Sequence, residues 1–337
     1  MRARVLRRSR CVGRSCSRWR SFVAAACGEL PSERADAGAA GAPVVAAVGD
    51  IACKSLPGDP PRCKYDKVAE LIRSIAPDRF LGLGDLQYLH GSAEQFATFY
   101  DPVFADLKSI TAPVPGNHEL YTLYGEGYYD YFGKAAHGPG GFYSFDLGSW
   151  HLIGLNSQIC KGSTWNPDLG QNTAITRNPA IGEGCGPGTA MYEWLKKDLV
   201  LNEDRACTLA FLHHPLFGSE PWPNGVFLYQ LQPLWELLDT HGVDIALSGY
   251  EHNYQRFEPM DAFGRVTQDG MTQFIIGTGG STYGELPGGE TAANRVAGQD
   301  RSYGVLKLTL NEGSADYDFV PAAGEQPYSD PGTVTCA

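Results

Sequence analysis

The chain has no long apolar run, few basic residues outside its start, and no closely spaced cysteine pair, and each absence removes a class of protein. No uninterrupted apolar stretch approaches the roughly 20 residues that a membrane-crossing helix needs, so no transmembrane span is expected. Lys and Arg number 27 against 38 Asp and Glu, and eight of those 27 are arginines within the first twenty positions, where no acid occurs. The remainder therefore sets 19 basic against 38 acidic side chains, a balance that repels polyphosphate and argues against nucleic acid as a partner. Nine cysteines are present without a Cys-x-x-Cys pair, which removes the usual zinc framework. There is no internal repeat. The glycine-rich segment from Gly277 to Glu290 looks like a mobile surface loop but lacks the Lys-Ser/Thr and following helix of a nucleotide-binding loop, so it reads as structural or as a site rim.

What is present begins with a leader. Arg2, Arg4, Arg7, Arg8, Arg10, Arg14, Arg18 and Arg20 run into a short apolar patch, Phe22 to Cys27, and then a stretch rich in Ala and Gly up to Pro43. That order suits an export leader and linker over residues 1–42, followed by a single catalytic domain over 43–337, with the protein secreted, periplasmic or at the cell surface. Ala24-Ala25-Ala26-Cys27 resembles a lipoprotein cleavage box, which would place a lipid anchor at Cys27, and Arg7-Arg8 resembles a twin-arginine signal. Cys11, Cys16 and Cys27 fall in the leader, which leaves six cysteines in the body and fifteen ways to pair them. Cys53 and Cys63 bracket a Pro-rich loop, Cys160 and Cys185 bracket a Gly/Asn-rich one, and Cys207 is left with Cys336; these three bridges are predicted, in an oxidising compartment.

From residue 43 onward, short apolar runs ending in glycine or polar residues alternate with segments of helical period, an α/β signature. Strands are predicted at Val44 to Val48, Phe80 to Leu83, Ile110 to Val114, Phe142 to Leu147, His151 to Leu155, Thr208 to Leu212, Val243 to Leu247, Phe274 to Ile276 and Val305 to Leu310. Helices are predicted at Tyr65 to Ile75, Thr189 to Leu201 and Gln230 to Thr240. Five strands feed directly into polar clusters containing Asp50, Asp85, Asn117, His213 and His252. In α/β proteins ligands bind outside the carboxyl ends of strands, so these clusters should converge. Oxygen and imidazole donors from five strand ends suit iron, zinc or manganese, and a carboxylate can bridge two ions about 3.5–4 Å apart.

The order of motifs, from residue 44 to about 280, resembles that of the purple acid phosphatases within the calcineurin-like metallophosphoesterase group. The matching blocks are Gly49-Asp50, Gly84-Asp85-Leu86-Gln87-Tyr88, Gly116-Asn117-His118-Glu119, Leu212-His213-His214-Pro215 and Gly249 to Arg256. The resemblance implies a four-layer αββα sandwich, with two mixed sheets flanked by helices. It also implies a dinuclear Fe(III)–M(II) centre, M being Zn2+, Mn2+ or Fe2+, that hydrolyses small-molecule phosphate monoesters. Asp50, Tyr88 and His252 would hold the first ion, Asp85 would bridge, and Asn117 and His213 would hold the second. Tyr88 would be the phenolate that stabilises Fe(III) and gives the family its colour. His118 would donate a proton or hydrogen bond to substrate, with Glu119 orienting it from behind. His214 is either a packed histidine or a support behind the ligands. Two departures stand out. The family reads Gly-His-x-His where this chain has Tyr250, so one ligand of the second ion is replaced by a tyrosine that either coordinates or stands back. A further substrate histidine is missing from Gly218 to Asn224. The same centre would support phosphodiester or nucleotide cleavage, and the altered ligand would suit a weakly active phosphate-binding protein. His90, His137, His151 and His241 have no matching partners and read as ordinary, and the aromatic-rich run Tyr121 to Phe132 as a packed helix or the mouth of the site. Oligomeric state is not legible.

Overall fold

A computed structural model describes residues 41–59, 62–161, 164–166, 171–173, 184–219, 228–286 and 293–337. The expected leader lies outside them except for its last two residues, and so do Cys11, Cys16, Cys27 and residues 220–227. The strands are β1 Val44–Val48, β2 Arg79–Leu83, β3 Thr111–Val114, β4 Tyr143–Leu147, β5 Trp150–Gly154, β6 Thr164–Asn166, β7 Gln171–Thr173, β8 Cys207–Phe211, β9 Ile245–Ser248, β10 Tyr254–Phe257, β11 Thr272–Ile276, β12 Arg295–Gln299, β13 Gly304–Asn311, β14 Ser314–Pro321 and β15 Gly332–Thr335. The α-helices are α1 Tyr65–Ile75, α2 Ala93–Gln95, α3 Asp101–Phe104, α4 Glu126–Phe132, α5 Ser157–Lys161, α6 Ala190–Leu201 and α7 Gln232–Thr240.

Two mixed sheets form the body. One runs β15-β14-β13-β1-β2-β3 and the other β12-β10-β11-β9-β8-β5-β4. Strands β1, β2 and β3 are mutually parallel, as are β5, β8, β9 and β11. The period-2 alternation of the second sheet separates its two faces. Leu209 and Phe211 of β8, Ile245 and Leu247 of β9, and Phe274 and Ile276 of β11 join Val45, Val48, Leu81 and Leu83 of the first sheet in one apolar cluster. The intervening Ala210, Ala246 and Ile275 point the other way, into a second cluster with Met191, Leu195 and Leu199 of α6 and Leu234 and Leu238 of α7. Each such fully buried large side chain contributes about 1.5–3 kcal/mol of transfer free energy, so sheet-on-sheet packing fixes the relative position of the strand ends. Helix α1 buries Tyr65, Val68, Ala69 and Ile72, the i, i+3, i+4, i+7 stripe, and stops at Ala76, whose left-handed backbone (φ 51°) turns its N–H back onto the carbonyls of Ile72 and Arg73.

All three expected disulfides form, with Cα–Cα separations of 6.1 Å for Cys53–Cys63, 4.9 Å for Cys160–Cys185 and 5.5 Å for Cys207–Cys336. The first part of the glycine-rich segment is structural rather than a mobile surface loop, and its residues 287–290 lie outside the described residues. Gly277 to Ser281 are buried, and the Gly279 N–H donates to the Gly49 carbonyl at 3.0 Å. A side chain there would not fit: a Cβ on Gly279 would lie 2.3 Å from that carbonyl oxygen. Among the described residues, no helix is long and apolar enough to cross a membrane.

His151 also departs from its reading as an ordinary histidine. Its side chain is buried on β5 with Nδ1 2.9 Å from Asp146 Oδ1 and Nε2 2.9 Å from Asp198 Oδ2, so both ring nitrogens face carboxylates. Burial opposes its charge, but the hydrogen bonds and proximity of Asp198 and Asp146 outweigh it and raise the imidazole above its usual value. A histidine whose folded pKa exceeds its unfolded one contributes stability that is complete below about pH 6.5 and lost as pH rises through the folded value. The melting temperatures of the native chain and His151→Gln should therefore differ most near about pH 5.5 and converge toward about pH 9; a gap independent of pH would contradict the charged sandwich.

Candidate metal centre

The parallel strands deliver the site. β1 ends in Asp50, β2 in Asp85, β3 leads to Asn117, β8 to His213, and β9 to Tyr250 and His252. Registers such as Leu83 against Val114 and Phe211 against Leu247 keep the strand ends level within each sheet. Backbone bonds cross between the sheets at this edge: the Gly49 N–H donates to the Ile276 carbonyl at 2.9 Å, and His213 Nδ1 lies 2.9 Å from the Leu83 carbonyl, which fixes the proton on Nδ1 and points Nε2 into the pocket. Asp50, Asp85 and Tyr250 adopt left-handed backbone conformations with φ of 60°, 49° and 73°. For non-glycine residues such conformations are costly and persist only where surroundings impose them. Gly116 leaves the room required: a Cβ there would lie 2.1 Å from Asp85 Oδ1.

Six of the sequence-identified side chains come together. The Tyr88 hydroxyl donates to Asp50 Oδ1 at 2.7 Å, with Asp85 Oδ2 at 3.1 Å and His252 Nε2 at 2.9 Å from the same oxygen. His252 Nε2 is 3.1 Å from Asp50 Oδ1. On the other side of Asp85, His213 Nε2 lies 3.4 Å from Asp85 Oδ2 and 3.3 Å from Asn117 Oδ1. Asp50, Asp85 and His213 offer ligand atoms all within 4.8 Å of one another, and all three residues are buried. Asp85 thus lies between an Asp50–Tyr88–His252 group and an Asn117–His213 group.

The electrostatics are those of an anionic pocket balanced by protons. Burial alone would raise the Asp85 carboxyl, but the His213 and His118 imidazoles overcome it and hold it well below the usual carboxylate range. Burial likewise opposes charge on His213, yet the Asp85 carboxylate pushes that imidazole up to about 9. Burial, reinforced by Asp50 and Asp85, pushes the Tyr88 phenol well above its usual range. Metal binding requires deprotonated ligands and releases their protons. Buried carboxylates, an imidazole pair, an amide oxygen and a phenol converging on one space fit hard or borderline cations.

His118 packs against this group. Its ring packs 4.2 Å from that of Tyr88, and its backbone N–H donates to Asp85 Oδ1 at 2.9 Å. Its Nδ1 lies 2.6 Å from the Leu89 carbonyl, an acceptor only, so Nδ1 carries a proton and Nε2 is the exchanging nitrogen, 3.7 Å from Asp85 Oδ2. Leu89, and not Glu119, therefore orients the ring. Glu119 is fully buried and spends its carboxylate on the backbone: it accepts from Asp85 N at 2.9 Å, Gln87 N at 3.1 Å and Gly116 N at 2.7 Å, tying the loops after β2 and β3 together. Burial, then the nearby Asp85 charge, push it up to about 7.

Tyr250 is held by packing. Its ring lies 4.8 Å from that of His214 and 5.5 Å from that of His213, with Lys161 Nζ 5.4 Å from its centroid, while its backbone N–H donates to Asp50 Oδ2 at 2.8 Å. His214 is buried with Nδ1 2.9 Å from Ser157 Oγ, and burial holds its imidazole well below the usual value. Sequence reasoning missed Leu89, Ser157 and Thr282, and named Tyr121 only as part of an aromatic run. Tyr121 Oη lies 3.4 Å from Asn117 Nδ2, and Thr282 Oγ1 meets His252 Nδ1. These contacts arise from loops whose return to the strand ends leaves no local pattern. The segment expected to lack a substrate histidine lies mostly outside the described residues.

The family model for calcineurin-like phosphoesterases matches residues 43–254. An acid phosphatase of Aspergillus ficuum is 28% identical over 227 residues, covering 56% of this chain and 36% of its own length. The acid phosphatase type 7 of Homo sapiens is 25% identical over 242 residues, covering 66% of this chain and 49% of its own. The chain thus spans about a third to a half of the length of these curated relatives. Among solved structures, the purple acid phosphatase PPD1 from yellow lupin (Lupinus luteus) seeds superimposes with a TM-score of 0.60 at 19% identity, covering 87% of this chain and 53% of that one, a likeness of fold.

The Glu119 arrangement has a thermodynamic consequence. Glu119→Ala strands three buried amides and should lower unfolding free energy by about 3 kcal/mol or more, with Glu119→Gln recovering part through its remaining carbonyl. Urea titration reads this directly, and equal midpoints for native and Glu119→Ala protein would refute the role.

Proposed function

The chain belongs to the calcineurin-like phosphoesterase family, and from that premise we propose that it is an exported phosphoric ester hydrolase of the acid phosphatase type, cleaving phosphate monoesters at a two-metal centre carried by one domain over residues 43–337. The observation that carries the reading is the convergence of Asp50, Asp85, Tyr88, Asn117, His213 and His252 around buried, mutually close donor atoms. Asp50, Tyr88 and His252 would hold Fe(III), Asn117 and His213 a divalent ion (Zn2+, Mn2+ or Fe2+), and Asp85 both. Such cations, when bound, supply Lewis acidity toward phosphoryl oxygens and toward water.

The side chains of the chain divide the remaining work. His118, with Nδ1 committed to Leu89, presents Nε2 as the group that gives a proton to the ester oxygen as the P–O bond breaks. Tyr88 backs that imidazole with its ring. Glu119 keeps the two loops bearing Asp85 and Asn117 at fixed separation, so the substrate meets a preorganised site.

Two experiments test the reading. Asp50→Ala and Asp85→Ala should cut kcat/KM for 4-nitrophenyl phosphate to below about a thousandth, and Tyr88→Phe should abolish the visible absorption band of the iron-loaded protein. Full turnover by either aspartate variant refutes the assignment, and faster cleavage of bis(4-nitrophenyl) phosphate than of the monoester would make the enzyme a diesterase.

Tyr250 favours a specific modification of this reading, a loosely held second ion, because its ring is engaged with His213, His214 and Lys161. Tyr250→His should tighten binding of the second divalent ion by about tenfold or more, measured by calorimetric titration; unchanged affinity would mean that the tyrosine costs the site nothing.

A further inference from the structure

Beside Tyr88 lies a cavity of about 380 Å³ whose walls include Cys53, Lys54, Ser55, Tyr88, Leu89 and Thr282. Three of these residues also belong to the proposed reaction centre. Tyr88 reaches Asp50 and His252 through its hydroxyl, the Leu89 carbonyl holds His118 Nδ1, and Thr282 Oγ1 meets His252 Nδ1. The cavity therefore shares a wall with the group assigned to protonate the leaving oxygen. A leaving alcohol bonded to that oxygen has to extend away from the cations, and this space is bounded by Tyr88 and Leu89, both of which touch the His118 imidazole.

The chemistry of the walls restricts what enters. The Cys53 side chain is tied into the Cys53–Cys63 disulfide, and the Tyr88 ring is clamped by His118, so this part of the wall is preformed. Leu89 and the Tyr88 ring offer apolar contact, and the two charged residues at the edge, exposed Lys54 and exposed Asp59, have opposite signs and give no net demand for an anion. An apolar cavity of about 150 Å³ already accepts benzene, and ligand pockets span about 300–1,000 Å³. We infer that this cavity is the leaving-group pocket of the centre, and that it selects phosphate esters of uncharged, ring-bearing alcohols over esters of short aliphatic ones. The inference rests on the phosphatase reading of the centre and adds a substrate class to it.

Leaving-group acidity would confound a comparison of ester turnover, so binding of inert phosphonates to the metal-loaded protein is the better measurement. By calorimetric titration, naphthylmethylphosphonate should bind at least about tenfold more tightly than methylphosphonate, as burial of one to two rings requires. Lys54→Trp and Ser55→Phe, which narrow the cavity from its outer wall, should shrink that ratio to about threefold or less while leaving the methylphosphonate Kd, metal content and melting temperature unchanged. The comparison on the native protein stands even if a variant fails to fold. Equal affinity of the two phosphonates for a protein that hydrolyses 4-nitrophenyl phosphate overturns the pocket and leaves the phosphatase reading intact. A protein that binds neither phosphonate and turns over no monoester overturns both, and a ratio unmoved by both folded variants places the aryl group elsewhere and also refutes the pocket.

Discussion

Asp50 and Asp85 bring two buried carboxylates together, and the left-handed backbone at Asp50, Asp85 and Tyr250 accompanies that juxtaposition. At the 4.8 Å limit within which their ligand atoms lie, two unit charges repel by about 3–4 kcal/mol at an effective dielectric constant near 20. That is a large part of the roughly 5–15 kcal/mol by which a domain is stable. The protein offsets it with directed donors, the Tyr250 amide on Asp50 and the His118 amide on Asp85, and with the His213 imidazole 3.4 Å from Asp85 Oδ2. The left-handed backbone at Asp50 and Asp85 follows from the same need, since each carboxylate has to turn back over its own strand end. Cations in place of those protons would relieve the repulsion more fully than hydrogen bonds do.

The accuracy of the site is borrowed from the packing of the two sheets. Asp50, Asp85 and Asn117 come from one sheet, His213 and His252 from the other, so any slip between the sheets would pull the donors apart. Interior packing resists such slips because even small voids are costly. The resistance is reinforced at the edge itself, where Gly49 N–H to Ile276, His213 Nδ1 to Leu83, and Gly279 N–H to Gly49 cross from sheet to sheet. These bonds explain why Gly277 to Ser281, directly after β11, are buried. Glycine's lack of a side chain there serves close backbone approach, a role that composition alone cannot distinguish from a loose surface loop.

Parallel strands followed by Gly-Asp or His-His were legible, because an apolar run ending in glycine and then a charge carries both the strand and its functional terminus in a few residues. Helix α1 was legible to its last residue for a similar reason, a clean stripe with Pro77 beyond it. Strands β10, β12, β14 and β15 were not. Tyr254–Phe257 and Ser314–Pro321 mix polar with aromatic side chains, and their strand character comes from antiparallel pairing, with the next strand β11 and, across the Glu312-Gly313 turn, with β13. The helical region around Phe96 to Phe132 was hidden in another way: its helices are short, and its aromatic residues stack across them, as Tyr100 does on Phe104 and Phe96 on Tyr131. The side chains that the strand ends bring together, such as Asp50, Asp85 and His213, stood in legible motifs. Residues that reach those side chains through a carbonyl, as Leu89 does, or through a hydroxyl from a distant loop, as Thr282 does, carry no such signature.

Tyr250 shows how a backbone requirement and a side-chain requirement can separate at one position. Its φ of 73° is unfavourable for a tyrosine, yet that conformation puts its N–H 2.8 Å from Asp50 Oδ2. Any residue except proline can make that bond, so the Asp50 carboxylate is supported whatever side chain follows Gly249. The Tyr250 side chain instead faces the half of the centre that contains His213, and there it packs against two imidazoles. Replacing an imidazole by a phenol at this position therefore leaves the Asp50–Tyr88–His252 group structurally intact and alters only the Asn117–His213 side. In the proposed assignment the two ions differ in how firmly the protein holds them, and the difference arises from one side chain on a backbone that both halves of the site share.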